Sequence, residues 1–192
     1  SIQRADMANV FVARRDEKVV EIGFLTANPN LEYEIQVYKD LEKGSGPESG
    51  KAVFSVPQKG SAAAVGYRSV TLNTPALLKK GERFAIEVTL LSTASSALPD
   101  GLYLPVEVAL SGYSDKVRVL AGESYLKQGG TWTDTYYYTE EGESVPYNLC
   151  LKAFTAADES QKTDGGGSGC DSGIYGVSVL VWGVYVWTRK RV

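Results

Sequence analysis

Apolar and polar residues alternate along this chain in short runs with a period of two. Between residues 32 and 39, apolar side chains alternate with Glu32, Glu34 and Gln36. Residues 84–90 repeat the pattern with a branched or aromatic residue at every second position. A period of two indicates a strand with one buried and one solvated face. The residues expected in the core are Phe24, Tyr33, Ile35, Val37, Phe84, Ile86 and Val88.

Other short apolar runs predict further strands, separated by turn signals such as 27–30 and 73–75. In the first run Ala8, Val10 and Val12 share the expected inner face, and in the second Val20 lies on the same face as Ile22. Many short strands without an amphipathic helix predict an all-β fold, an antiparallel, jelly-roll-like β-sandwich. The predicted strands are 6–13, 18–26, 32–39, 51–56, a run ending at 67–72, 84–90, 102–110, 117–120, 124–127 and 147–155.

The C-terminal end has a different pattern. Ile174 to Trp187 contains no charged residue, and the basic cluster Arg189–Arg191 follows it after Thr188. A charge-free run of this kind is typical of a membrane-inserted helix, although about 14 residues at ~1.5 Å each reach only ~21 Å. The basic end is expected to stay on the cytoplasmic side. A buried core helix is the alternative interpretation.

The order of features in this segment resembles the Synerg-CTERM type of C-terminal sorting signal. A glycine run, a cysteine, a short apolar span and a basic end follow one another, and the residues of the expected processing region are Gly165, Gly166, Gly167, Gly169 and Cys170. The resemblance implies cleavage near this region by a membrane protease. It predicts an exported protein that is located at the cell envelope or surface, or is released after the tail is cleaved. Before processing, the protein would contact the membrane through the tail. The expected divisions are 1–155 for the sandwich, 156–169 for a flexible linker and 170–192 for the signal.

Composition excludes several functions. The 192 residues carry a net charge of −3 and contain no histidine. A mildly acidic chain lacks the basic surface that nucleic acid requires. Without histidine, Ser-His-Asp and Cys-His catalysis within this chain are excluded. Two cysteines cannot form a zinc site by themselves. Cys150 is expected to be a small buried apolar residue, with a bridge to Cys170 as the alternative.

Two further features bear on metal binding and on the extent of the chain. Calcium prefers clustered loop oxygens, and Asp40 with Glu42, Asp100 and Asp115 are loop acids. No calcium-loop motif joins them, so solvated charge is the favoured interpretation and no cofactor is predicted. The chain starts at Ser1 without an apolar leader. Because an exported protein needs a leader, we expect the chain to be the C-terminal part of a longer protein.

Several short stretches follow one another in a recognisable order along the body of the chain. They are 8–13, 20–24, 33–38, 78–84, 111–114, 121–125, 132–134 and 148–154. Together they resemble the lectin-like domain that follows papain-like cysteine peptidase domains in some secreted bacterial proteins, and the resemblance covers nearly all of residues 5–155. It implies a sandwich fold and a peptidase domain upstream in the same protein. No catalytic residue is implied here.

One aromatic stretch is the candidate ligand site. Aromatic rings stack on sugar rings and carboxylates accept hydrogen bonds from sugar hydroxyl groups, so a sugar site combines both. The alternative is that some of these rings pack in the core while others lie on an exposed strand. The candidate residues are Trp132, Asp134, Tyr136, Tyr137 and Tyr138, with Glu140 nearby.

These observations predict a non-catalytic accessory domain of an exported cysteine peptidase. Its partners would be the peptidase domain and, in one version, glycan or cell-wall material. The main alternative is a structural spacer that packs on the peptidase. A glycoside hydrolase is a more distant alternative, because any two facing carboxylates would serve such an enzyme.

Overall fold

The computed structural model describes residues 3–93, 101–109, 112 and 117–158. Their longest sheet has seven strands, all paired antiparallel. Its strands are β1 Arg4–Val12, β3 Leu31–Lys39, β4 Lys51–Ala52, β5 Gln58–Ala62, β7 Arg83–Ser92, β9 Ser124–Gln128 and β10 Thr131–Asp134. They are arranged in the order β10-β9-β1-β7-β3-β4, with β5 also pairing with β3.

A smaller sheet covers one face of this main sheet. It contains β2 Glu17–Thr26, β6 Gly66–Leu78 and β14 Leu151–Ala157, in the order β14-β2-β6. Consecutive long strands alternate between the sheets, since β1, β3 and β7 belong to the main sheet while β2 and β6 belong to the smaller one. The predicted antiparallel β-sandwich is confirmed. Two short pairs complete the described strands: β8 Val106–Glu107 with β13 Asn148–Leu149, and β11 Thr139–Glu140 with β12 Glu143–Ser144.

The core lies between the two sheets. Ile35, Ile86 and Val88 of the main sheet are fully buried, as are Ile22 and Phe24 of the smaller sheet. The rings of Phe24 and Tyr33 meet edge to face with centroids 5.2 Å apart, which links the two layers. Six of the seven predicted core residues are buried, and Tyr33 is half-buried against the same cluster.

A buried polar network also joins the layers. Asn9 of β1 donates its side-chain amide to the main-chain oxygens of Leu149 and Leu151, at 3.0 and 3.3 Å. The hydroxyl of Ser124 donates to Asn9 Oδ1 at 2.6 Å, and Ser124 Oγ accepts from the amide of Leu149 at 2.8 Å. Each of these buried groups therefore has a hydrogen-bond partner, as a buried polar network requires.

Three details of the sequence prediction differ from the structure. Ala8 and Val10 are buried, but Val12 at the end of β1 is 52% exposed. In β2 the register shifts between Val19 and Glu21, so Val19 is fully buried instead of Val20. The predicted turn at 73–75 is instead part of β6, where the same irregularity accommodates Pro75.

Other predicted strands are shorter or absent among the residues described. The run 51–56 forms a strand only at Lys51–Ala52, and 102–110 only at Val106–Glu107. Residues 117–120 are described and form no strand. Strand β14 continues to Ala157, so the first residues of the predicted linker are part of the sandwich. The rest of the linker, the sorting signal with Gly165–Gly167, Gly169 and Cys170, and the C-terminal helix lie outside the described residues.

Candidate functional site

The face of the main sheet that points away from the core is polar along its centre. The register of the strands places Lys127, Asp6, Thr89 and Glu34 in one row across β9, β1, β7 and β3. Trp132 of β10 extends this row at the edge of the sheet. Side chains in one row of neighbouring strands lie about 5 Å apart and share a face. The outer face therefore brings together residues that are far apart in sequence.

A groove runs over this face. Its volume is about 210 Å³, and its walls come from the sheet and from the segment between β3 and β5, which contributes Glu48 and Pro57. This volume is below the ~300–1,000 Å³ of pockets for drug-sized ligands, so the groove suits a small ring or a single polar substituent. The lining residues are Arg4, Glu34, Gln36, Tyr38, Glu48, Pro57, Glu87, Thr89 and Lys127.

Asp6 anchors one wall of the groove. Arg4 contacts both of its carboxylate oxygens, with Nη2 at 2.7 Å from Oδ1 and Nε at 2.9 Å from Oδ2. The hydroxyl of Thr89 donates to Asp6 Oδ1 at 2.6 Å. Burial acts to raise the pKa of Asp6, but these hydrogen bonds outweigh it and hold the pKa below its usual value. Asp6 therefore remains a charged carboxylate that fixes the positions of Arg4 and Thr89.

Glu87 on the neighbouring strand is in a different environment. It is only 7% exposed although it lines the groove. Burial first, and then the negative charge of Glu48, raise the pKa of Glu87, while a hydrogen bond from the Tyr38 hydroxyl acts in the opposite direction. Burial also raises the pKa of Tyr38, and the nearby Glu87 carboxylate adds to the shift. The floor of the groove thus holds a buried carboxyl group whose charged form is unfavourable.

Gln36 supports the far wall. Its side-chain amide donates to the main-chain oxygen of Phe54 at 2.8 Å, and its Oε1 accepts from the amide of Phe54 at 3.1 Å. These two bonds attach the segment after β4 to the outer face of β3. The segment carries Pro57 into the groove wall. Gln36, which alternation assigned to the solvated face, is in fact a buried positioning residue.

Lys127 connects the groove to the predicted aromatic stretch. Its ammonium group lies 5.1 Å from the centroid of the Trp132 ring and 2.8 Å from Glu48 Oε1. Trp132 itself is half-buried and packs against a small cluster that includes Val10, Leu41, Ala85 and Tyr125. A cation over an indole ring is attracted by the electron density of the ring face. Trp132 is therefore at the margin of the groove, held by a residue that lines it.

The other predicted residues have three different roles. Asp134 ends β10 and accepts from the amides of Gly122, at 2.6 Å, and Tyr136, at 3.0 Å, which starts a 3-10 turn at Thr135–Tyr137. Tyr136 and Tyr137 are 39% and 69% exposed, and their rings meet edge to face at 5.1 Å. Tyr138 packs on Tyr147 at 5.2 Å and contacts the main core. Glu140 is exposed in β11. The stretch therefore divides between an exposed aromatic pair and packing residues.

The register explains how these residues relate to the groove. The row next to the one that contains Lys127 is formed by Asp134, Tyr125, Ala8 and Glu87. At about 4.8 Å per strand, Asp134 is roughly 14 Å from Glu87. The Tyr136–Tyr137 turn begins directly after Asp134. An extended ligand could thus lie in the groove at one end and contact the exposed tyrosines at the other.

Two remaining predictions concern metals and cysteine chemistry. Among the described residues, no group of three His, Cys, Asp or Glu side chains is placed to hold a metal ion. Asp40 pairs with Lys51 at 3.1 Å, while Asp100 and Asp115 lie outside the description. Cys150 is half-buried between β13 and β14, and burial raises the pKa of its thiol to about 12. A thiol with this pKa is a poor nucleophile at neutral pH.

Sequence reasoning did not find most of the groove. Its lining residues Arg4, Glu34, Tyr38, Glu87 and Thr89 come from three strands, and no local motif connects them. One signal was present: Glu87 and Thr89 are polar residues within the otherwise apolar run 84–91. Alternation alone assigned them to a solvated face.

The comparisons with known proteins agree with this architecture. The pattern of the lectin-like domain family matches residues 1–155. The chain belongs to this family. No curated protein sequence matches this lectin-like domain. Among solved structures, the clostridial cysteine protease Cwp84 after propeptide cleavage is 25% identical with a TM-score of 0.64, over 82% of this chain and 38% of that chain.

A second solved structure contains the cysteine protease and lectin-like domains of Cwp84, a surface layer associated protein of Clostridium difficile. It is 27% identical with a TM-score of 0.61, over 81% of this chain and 33% of that chain. This chain thus spans about a third of the length of these relatives. In the described residues, no helix has the length and apolar character needed to cross a bilayer.

Proposed function

We propose that this lectin-like domain is a non-catalytic accessory module of an exported, surface-directed cysteine peptidase, and that it binds carbohydrate through the groove on the outer face of its main sheet. The peptidase would be the upstream part of the same protein. Support for this context comes from Cwp84, in which a similar domain accompanies a cysteine protease. The sequence supports the non-catalytic role, because the chain contains no histidine to act as the general base of a peptidase.

The observation that carries the carbohydrate proposal is the groove with its margin of aromatic rings. Its polar wall offers carboxylates, an amide, hydroxyl groups and cations within a small volume. Trp132 provides a ring surface at its margin, and the exposed Tyr136–Tyr137 pair follows strand β10 at the edge of the same sheet. Sugars present hydroxyl groups on their edges and C–H groups on their faces, so they need both kinds of contact.

A hydrolytic function is less well supported. Glu87 and Asp6 have pKa values shifted in opposite directions, which is the arrangement of an acid and a nucleophile in a glycosidase. However, Arg4 contacts both oxygens of Asp6 and Thr89 donates to one of them. A carboxylate held in this way is a poor nucleophile. The groove is therefore better suited to binding than to bond cleavage.

A structural spacer is the second candidate, and one observation favours it. On the outer face of the smaller sheet, the partly exposed rings of Tyr67 and Phe154 lie over Gly23, where a side chain would collide with the Tyr67 hydroxyl. Two aromatic rings on an otherwise open sheet face provide a small surface on which a neighbouring domain could pack. In this function the groove would bind nothing.

A glycan array separates the two candidates. The purified chain should bind a defined set of glycans, and the variant Trp132→Ala should lose much of the signal while Tyr67→Ala keeps it. Tyr67 is a matched control, because it is an exposed aromatic residue on the opposite sheet. Absence of binding to any bacterial glycan would favour the spacer, and equal loss with both variants would contradict the groove as the binding site.

A further inference from the structure

The carboxylates in the groove and the adjacent Asp6 differ in whether a cation pairs with them. Asp6 pairs with Arg4 at 2.7 Å, Glu34 with Lys59 at 2.6 Å and Glu48 with Lys127 at 2.8 Å. Within the described part of the chain, Glu87 has no Lys or Arg at ion-pair distance. Glu87 is also the most buried of the carboxylates that line the groove. The groove therefore contains one buried acid with which no described Lys or Arg forms a direct ion pair.

The contacts of Glu87 leave room for a ligand. The Tyr38 hydroxyl is a single donor, so it can occupy only part of the acceptor capacity of the two carboxylate oxygens. The remaining capacity lies in a groove of about 210 Å³. A bound cation would replace the interactions with water that Glu87 loses through burial. An anion or a second carboxylate would instead meet uncompensated negative charge.

The geometry restricts what kind of cation fits. The volume is too small for a large ligand, while the aromatic margin at Trp132 and the Tyr136–Tyr137 pair lies further along the outer face. A ligand that uses both parts needs a small charged substituent on a chain of rings. A free amino group on a sugar meets this requirement, because an ammonium ion donates up to three hydrogen bonds. An N-acetyl group is larger and has no charge.

We propose that the groove binds an oligosaccharide with free amino groups, and that Glu87 with Tyr38 forms the receptor for one ammonium ion. This inference rests on the proposed carbohydrate-binding function and specifies its ligand. Arg4, Lys127 and Gln36 then serve as contacts for hydroxyl groups on neighbouring positions. Glu34 lines the same groove, but Lys59 already neutralises it.

Calorimetry with matched oligosaccharides tests the proposal. The chain is titrated with a glucosamine tetramer and with the N-acetylglucosamine tetramer at near-neutral pH. We expect the free-amine tetramer to bind at least about tenfold more tightly, the ratio that ~1.4 kcal/mol of differential binding produces. Glu87→Gln should abolish this preference. Glu107→Gln is the matched control, because it removes a carboxylate that is already paired, with Lys152 at 2.9 Å, and that does not line the groove, so it should keep the preference.

The outcomes separate this inference from the function on which it rests. If the acetylated tetramer binds as tightly as the free-amine tetramer to the unmodified protein, carbohydrate binding stands and the ammonium site is wrong. If neither tetramer binds and the glycan array is also negative, both proposals fail. If tetralysine binds as tightly as the glucosamine tetramer, the site recognises amines without sugar selectivity and the amino-sugar assignment is wrong. The comparison of ligands on the unmodified protein holds even if Glu87→Gln does not fold.

Discussion

The Lys127 ammonium group lies 2.8 Å from Glu48 Oε1, so an ion pair connects strand β9 with the segment that forms the opposite wall of the groove. Strands β1 and β7, which carry Asp6 and Glu87, lie between these two positions. Lys127 also contacts the face of the Trp132 ring. This single side chain therefore links the polar groove to its aromatic margin.

Removal of Lys127 should change the titration of Glu87. The positive charge of Lys127 lowers the pKa of Glu87, while Glu48 raises it. In Lys127→Met the favourable charge is lost and Glu48 has no partner, so we expect the pKa of Glu87 to rise further. Carbon-detected NMR of the side-chain carboxyl groups measures this directly. Lys59→Met is the control, since Lys59 pairs with Glu34 and should leave Glu87 unchanged.

The raised pKa of Glu87 predicts how stability depends on pH. In the unfolded chain glutamate titrates near its usual 4.5, and in the folded protein Glu87 titrates above that value. Between these two values the folded state binds more protons, so its free energy of unfolding falls as the pH rises. The groups facing Glu87 are Tyr38, Glu48, Lys127 and Asp6.

Glu87→Gln should remove this contribution. Chemical denaturation at a series of pH values is expected to show a smaller decrease in stability for the variant as the pH rises through that window. Asp6 has the opposite effect, because its pKa is lower in the folded than in the unfolded protein. It stabilises the fold at pH values above the unfolded pKa, and this stabilisation is lost as the pH falls through the folded pKa. An unchanged pH profile in Glu87→Gln would mean that the carboxyl group is solvated.

The core between the sheets predicts a large cost for truncation at Ile86. This side chain is fully buried on the central strand β7, so Ile86→Ala should reduce the free energy of unfolding by about 2–5 kcal/mol through lost burial and a cavity. Val12→Ala removes an exposed aliphatic side chain from β1 and should cost less than ~0.5 kcal/mol. Similar values for the two variants in urea denaturation would contradict the assigned faces.

The tail should contribute little to the stability of the sandwich. The residues of the two described core clusters all lie before position 154, and the last described strand ends at Ala157. Truncation after Thr163 should therefore leave the melting temperature unchanged and release an envelope-bound protein into the soluble fraction. A decrease of several degrees would make the tail part of the core. Continued membrane association would mean that the tail is not the membrane anchor.

Much of the sandwich could be predicted from the sequence because its central strands are buried on one face only. In β3 and β7 alternation correctly identified Ile35, Val37, Ile86 and Val88. The prediction failed where the register is irregular, since the shift between Val19 and Glu21 puts Val19 on the same face as Ile22, three positions away. Local patterns contain no information about such shifts.

The candidate site shows a different limit. Trp132 and Asp134 were identified because aromatic and acidic residues are adjacent in the sequence, and both belong to rows of the outer face. Glu87 and Tyr38 meet only because β7 and β3 pair in one particular register. Whether a polar residue on an alternating strand faces solvent or a groove depends on the segment above it, here the part held by Gln36. That information is in the tertiary structure alone.

The most direct test of the central claim is an amide NMR titration of the chain with a glycan that binds it on the array. The proposed function predicts that the largest shifts fall on the outer face of the main sheet, at Gln36, Glu87, Lys127 and the Tyr136–Tyr137 turn. Amides around Gly23 and Phe154 on the opposite sheet should not move. Shifts confined to that opposite sheet, or none with any glycan, would contradict carbohydrate binding in the groove.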